Sequence, residues 1–211
     1  MTLQKKDFIE IEFTGKLKDG GVFDSNIKSE LEKSGIEGNP KPFKFCLGEG
    51  MFLPGIEEFL LGKDLGEYKI ELSPEKAFGK RDSNLIQKIP KNVFTQNKLN
   101  PVPGFVFNFD GRLGKVLASS GGRVIVDFNN PLAGKDVIYE VKVLRKIDDL
   151  NEKIKSFTEF LFRRELKFKI EDKKIIIEIE KPMINFANLF KDKFKDIFEM
   201  DLEIQEEKII K

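Results

Sequence analysis

Apolar and polar side chains alternate along residues 8–13. Ile9, Ile11 and Phe13 fall on one side of an extended chain, Glu10 and Glu12 on the other. A period of two sends successive side chains to opposite faces, so the stretch predicts a half-buried strand. Asp19, Gly20 and Gly21 then supply a tight turn. A second strand is expected over residues 42–47. Pro54 opens a short helix, PGIEEFLL, because proline suits a helix's first turn, and Gly62 closes it. Tyr68, Ile70 and Leu72 alternate in a third strand, and Val137, Tyr139, Val141 and Val143 in another. From about Asp149 the period changes. Leu150, Ile154, Phe157 and Leu161 share a helical face, and Leu166, Phe168 and Ile170 alternate. Asp172, Lys173 and Lys174 turn the chain into Ile175, Ile177 and Ile179. Phe186, Leu189, Phe190, Ile197 and Phe198 fit a second helix, and Leu202 with Ile204 a last strand. The order is α-β-β-α-β.

Between the third strand and Val137 the texture differs. Residues 82–131 contain nine charged residues, no Glu, and four of the nine prolines of the chain. Short strands are expected over 105–109, 113–117 and 124–128. This reads as a separate small β-rich domain. Val93, Phe94, Leu99, Val102 and Phe105 sit there among Pro and Asn with few charges. They make either a tiny core or an exposed apolar patch of the kind that binds other chains, and partial exposure is the expectation.

Composition narrows the function classes. The 37 basic and 36 acidic residues leave a net charge of +1, which gives no pull toward nucleic acid or an anionic membrane. A nucleic-acid or ribosome-binding module would want a basic patch, and none is evident. There is no histidine, so a histidine base, a Ser-His triad and a histidine metal site are excluded. The single cysteine, Cys46, forbids an internal disulfide and fits a reducing cytoplasm. No apolar run approaches the ~20 residues of a membrane span, and MTLQKKDFIEIEF has no apolar signal core.

Four motifs, in order, carry a resemblance. GGVFD (20–24), KPFKFCLGEG (41–50), FLPGIEEFLLG (52–62) and SPEKAFGKRD (73–82) resemble the FKBP family of peptidyl-prolyl cis/trans isomerases. LIQKIPKNVF (85–94) and the return NNPLAG (129–134) resemble its SlyD-like branch, in which an insert-in-flap domain interrupts the flap. Residues 149–211 resemble the extra domain of long archaeal FKBP proteins. The resemblance implies an α+β protein with three parts. An FKBP-like antiparallel half-barrel with a short helix takes residues 1–81 and 132–148. The insert-in-flap domain takes 82–131, and a C-terminal α-β-β-α-β domain takes 149–211.

The resemblance also implies a site without cofactor or metal. Its cage would be Phe13, Phe23, Phe43, Leu53, Ile56, Phe78, Leu132 and Tyr139, with Asp24 the one charge at its edge. From spacing alone, aromatics at strand positions are core far more often than site. Many relatives have Tyr at the Phe13 position, and here that hydroxyl is missing, while Tyr139 stands where Phe is common. The implied function is isomerisation of Xaa-Pro bonds in unfolded or nascent polypeptides with exposed prolines, held by Val93, Phe94, Leu99, Val102 and Phe105. The alternative is a non-catalytic holdase with a vestigial pocket. In the first C-terminal helix Phe160 and Phe162 lie off the main stripe, and in the second Phe194 lies near the edge of its stripe. A unit of about sixty residues has little interior. An open aromatic surface and a homodimer through residues 149–211 are therefore expected, the alternative being that this segment packs onto its own FKBP-like half and leaves a monomer.

Overall fold

A computed structural model describes residues 2–207. In chain order the strands and helices are β1 (Phe8–Leu17), β2 (Val22–Ser25), α1 (Lys28–Ser34), β3 (Phe43–Cys46), α2 (Pro54–Leu60), β4 (Gly66–Leu72), β5 (Ile86–Pro90), α3 (Lys91–Gln96), β6 (Val106–Phe109), β7 (Arg112–Ser120), β8 (Arg123–Asp127), β9 (Val137–Lys146), α4 (Leu150–Phe162), β10 (Phe168–Glu171), β11 (Lys174–Ile179), α5 (Ile184–Asn188), α6 (Lys191–Phe198) and β12 (Asp201–Glu206). They form three sheets. The first runs β2-β1-β9-β4 with β3 beside β1, the second β5-β8-β7-β6, and the third β10-β11-β12. Two compact units emerge: Met1–Thr14, Asp24–Lys69 and Glu140–Lys211 form one, Gly15–Phe23 and Ile70–Tyr139 the other. No helix of the described residues is long and apolar enough to cross a membrane.

In the first unit the alternation of β1 does what its period requires. Ile9 and Ile11 are fully buried while Glu10 pairs with Lys44 of the antiparallel β3. Proline begins α2, and Ile56 and Leu60, one turn apart, are both buried. Asp149 caps α4 by accepting the Glu152 N–H at 2.7 Å, satisfying a helix-end donor. β11 and β12 run parallel, a pairing that needs a long crossover, and α5 and α6 provide it. The expected single second helix is thus two helices, parted at Leu189 and Phe190.

The C-terminal helices pack on the strands of their own unit. Phe8 of β1 meets Phe157 of α4 at 6.4 Å and Phe198 of α6 at 5.7 Å between ring centroids. Phe157, Phe162 and Phe194 are buried. Lys44 bonds Glu152 at 2.8 Å, Lys193 bonds Glu49 at 3.0 Å, and Lys6 bonds Asp196 at 2.7 Å. The expectation of a broad open aromatic surface here is therefore corrected. Shared packing with β1 and β3 supplies the interior that a sixty-residue unit lacks, and Phe186 and Leu189 are the large apolar residues of residues 149–207 left exposed.

In the second unit β5, β6, β7 and β8 make an antiparallel sheet, its mutual pairings all antiparallel, around Phe94, Val116, Val124 and Val126. Gly114 lies inside β7 because a Cβ there would come within 2.6 Å of Val126 and 2.7 Å of Phe128. The strands expected over 105–109, 113–117 and 124–128 correspond to β6, β7 and β8 with shifted ends. The helix α3 was not expected. It is six residues long and places Phe94 in the core, which corrects that residue's assignment to the exposed patch.

Candidate active site

In the first unit β1 presents Phe13, whose ring lies 5.0 Å from Phe52; Phe43 of β3 lies 5.4 Å from Phe52 and stacks on Phe45 at 5.3 Å. Buried polar groups hold this cluster. Asn26 accepts the Phe13 N–H at 2.7 Å and donates to the carbonyls of Ile11 at 3.0 Å and Lys41 at 3.1 Å. Ser25 donates to the Phe13 carbonyl at 3.0 Å. The Glu57 carboxylate, buried in α2, accepts the N–H groups of Gly48, Gly50 and Phe52 at 2.8, 3.1 and 2.7 Å. It fixes the loop that carries Phe52 and Leu53. Ile56 is fully buried beneath that loop.

A groove of about 750 Å³ is lined by Phe13, Asp24, Phe43 and Phe52 among others. Asp24 is half-buried; burial raises its carboxyl above the ordinary value, and the Ser25 N–H offsets this in part. Cys46 lies fully buried in β3, where burial and the nearby Glu49 and Glu57 push its thiol up to about 12. A thiol that stays protonated is not a nucleophile.

In the second unit Phe23 packs edge-to-face on Phe78 at 5.7 Å and on Tyr139 at 5.8 Å. Gly15 makes this possible. A Cβ there would stand 2.9 Å from both the Phe23 and Tyr139 rings. Leu132 follows in the return segment, its N–H donating to Asn130 Oδ1 at 2.8 Å. The flap closes on that segment through the Gly134 N–H, which donates to the Gly79 carbonyl at 2.9 Å. Two chain passages are tied where the insert begins and ends. Asn129 accepts the Asp82 N–H at 2.8 Å and donates to its carbonyl at 2.9 Å, and Arg81 pairs with Asp127.

The nine candidate residues therefore fall into two groups, Phe13, Asp24, Phe43, Leu53 and Ile56 in one unit and Phe23, Phe78, Leu132 and Tyr139 in the other. Comparisons with known proteins bear on what they do. A short-type peptidyl-prolyl cis-trans isomerase of Methanocaldococcus jannaschii is 32% identical over 145 residues, which is 67% of this chain and 92% of that protein. An FKBP-type 16 kDa peptidyl-prolyl cis-trans isomerase of Escherichia coli is 30% identical over 149 residues, covering 68% and 93%.

The chain belongs to the FKBP-type peptidyl-prolyl cis-trans isomerases.

Residues 87–132 of this FKBP-type chain match the family described as FKBP26, IF domain. The isomerase SlyD of Helicobacter pylori is 31% identical over 127 residues, 58% of this chain and 63% of that protein. Four residues that shape the candidate site were missed in the sequence: Phe52, Asn26, Glu57 and Gly15. A glycine inside a strand marks close approach, so Gly15 was open to discovery. Phe52 stood in a quoted motif beside Leu53. Nothing in the sequence marks Glu57 as buried, since acidic residues in a helix's first turn are common at the surface.

Proposed function

We propose that this enzyme isomerises Xaa-Pro bonds in unfolded or nascent polypeptides that its insert captures, and that it is arranged as an FKBP half-barrel, an insert-in-flap domain and a C-terminal α+β domain. Rotation about an amide costs ~18–20 kcal/mol because the twisted state loses conjugation. Both prolyl isomers are populated, so catalysis needs only a faster crossing, with no nucleophile or proton shuttle. An apolar surface more complementary to the twisted amide than to either planar form provides it. The Phe13–Phe43–Phe52 cluster lines the groove and offers such surface, and in the other unit Phe23 and Phe78 offer it, whereas Tyr139 is buried and serves as packing against Phe23. Asp24 acts on the dipole of the rotating amide. The Leu53 carbonyl accepts the Ile56 N–H of α2 at 2.9 Å, and its own N–H is left to a substrate carbonyl. A buried, protonated Cys46 suits a reducing cytoplasm.

The observation that carries client capture is the apolar exposure of the insert. Val93, Leu99, Val102 and Phe105 are exposed, and so are Val106, Leu113 and Leu117. Val106 alternates with the core-facing Phe107 in β6, and Leu113 and Leu117 alternate with the buried Gly114 and Val116 in β7, so these three share the sheet's outer face. Apolar groups on one face of a soluble domain mark a binding surface. A second copy docking through residues 149–211 would use Phe186 and Leu189.

Replacing residues 83–130 by a short loop tests the proposal. Isomerisation of a short peptide should survive, while proline-limited refolding of a protein should fall by about one to two orders of magnitude as effective concentration is lost. Equal loss of both activities overturns client capture. Full holding of clients with no peptide turnover in the intact chain would favour a holdase with a vestigial pocket.

A further inference from the structure

The groove that carries Phe13, Asp24, Phe43 and Phe52 is not walled by the isomerase strands alone. Helix α4 and the residue that ends it contribute Lys155, Glu159, Phe160 and Arg163 to the same lining. Two cations there are already neutralised. Lys155 bonds Glu165 at 2.7 Å, and Lys44 bonds Glu152 at 2.8 Å. Arg163 is different. It ends α4 in the left-handed conformation, with φ of 57°, and its guanidinium lies 5.1 Å from the centre of the Phe160 ring. Among the described residues it makes no ion pair. A guanidinium parked on an aromatic face is partly desolvated yet keeps its fork of donors free. That arrangement suits a carboxylate, which a guanidinium can grip with two parallel hydrogen bonds.

Resting on the reading of this groove as the isomerase site, we propose that Arg163, seated on Phe160, determines specificity by selecting substrate polypeptides with an acidic side chain a few residues from the isomerised proline. The occupant is the substrate chain itself, because the surface is continuous with the groove of Phe13 and Asp24. Lys41, in the same lining, adds positive charge, and Glu159, one helical turn before Arg163, opposes it. The C-terminal segment thereby becomes part of the substrate site.

The test uses the full-length protein and short peptides that share one Xaa-Pro core. Each carries Glu, Gln or Lys three residues before or after the proline, and kcat/KM is measured at low salt. On one side of the proline Glu should exceed Lys by about two- to fivefold, the range of an exposed ion pair. The ratio should approach one in ~1 M salt, where screening extends only ~3 Å. Arg163→Asn, which tolerates the left-handed backbone, should abolish the ratio. Arg163→Glu should invert it, and Glu159→Gln should raise it. A ratio of one in the unaltered chain, or one that survives Arg163→Asn, overturns the proposal. Turnover of the Gln peptide alongside such a result would leave the isomerase reading standing, whereas no turnover of any peptide overturns both.

Discussion

Asp24 ionises against its surroundings, because burial raises its carboxyl above the ordinary value of 3.8. Two consequences follow from the sign. If the charged form acts on the amide, the acid limb of kcat/KM against pH should lie above 3.8 and vanish in Asp24→Asn, whose rate should be low and flat. For stability, a raised folded value means the native state holds its proton longer than the unfolded chain. The cost therefore begins as pH rises past 3.8 and is complete above the raised value. Asp24→Asn should accordingly raise the Tm near neutrality, with no gain at a pH below the carboxylate range; thermal melts across pH read this directly. Glu57 is a structural anchor. Its two oxygens take three amide donors, and Gln offers one oxygen and an NH2 that donates instead. Loss of a charge-assisted, buried arrangement should cost Glu57→Gln about 2–4 kcal/mol. Its kcat/KM should fall too, as Phe52 loses its anchor. Native stability and turnover in Glu57→Gln would remove it from the positioning role. Gly15→Ala forces Phe23 and Tyr139 apart, an overpacking of about 1–3 kcal/mol, and peptide turnover is the readout.

At the scale of elements, what the sequence made legible was what alternation and capping encode. β1, β3, β4, β9 and the three strands of the C-terminal sheet lie where apolar residues alternate, and α2 begins at Pro54 as its proline requires. Two other short helices were not legible. α1 and α3 have seven and six residues, too few turns for a period of 3.6 to register. The break between α5 and α6 was hidden because Phe186, Phe190, Phe194 and Ile197 keep a helical spacing across it. Of the site, the aromatics could be named only through resemblance, since Phe in a strand looks the same in core or pocket. The polar supports, Asn26 and Glu57, depend on tertiary partners far away in sequence and left no local trace. The ties around Asn129 were equally invisible, and they join positions 47 apart in sequence. Hydrogen bonds from Asn129 and the pair with Arg81 hold Asp127 below the ordinary carboxylate range, although burial opposes this. Asn129→Ala removes the bonds to both Asp82 and Asp127. Amide hydrogen exchange should then quicken at Asp82 and through β5 and β8, while the Phe94 core stays protected. Unchanged exchange at Asp82 would show that Asn129 does not hold the two passages together.

On the scale of the whole chain, the first unit unites segments that the sequence reads as separate. Phe8 near the start meets Phe157 and Phe198 near the end, and Phe157 also packs on Phe194 at 5.3 Å. Around these rings stand Lys44–Glu152 and Arg145, which reaches both Glu10 and Glu152. Arg145 and then Lys44 hold the Glu152 carboxyl down to about 2. A lowered folded value contributes stability above the unfolded value of 4.5 that is lost as pH falls toward 2. A core built from both ends of the chain has no boundary across which α4 could unfold alone. Phe8→Ala should therefore cost about 3–5 kcal/mol, the range for deleting a buried aromatic. The loss should reach past β1 and β3. Hydrogen exchange should accelerate in α4 and α6 together with the strands, and thermal melting should show these elements leaving in one transition. If α4 and α6 keep their protection in Phe8→Ala while β1 loses it, the C-terminal segment folds independently, and its share in the proposed substrate groove would then have to rest on docking rather than on a common core.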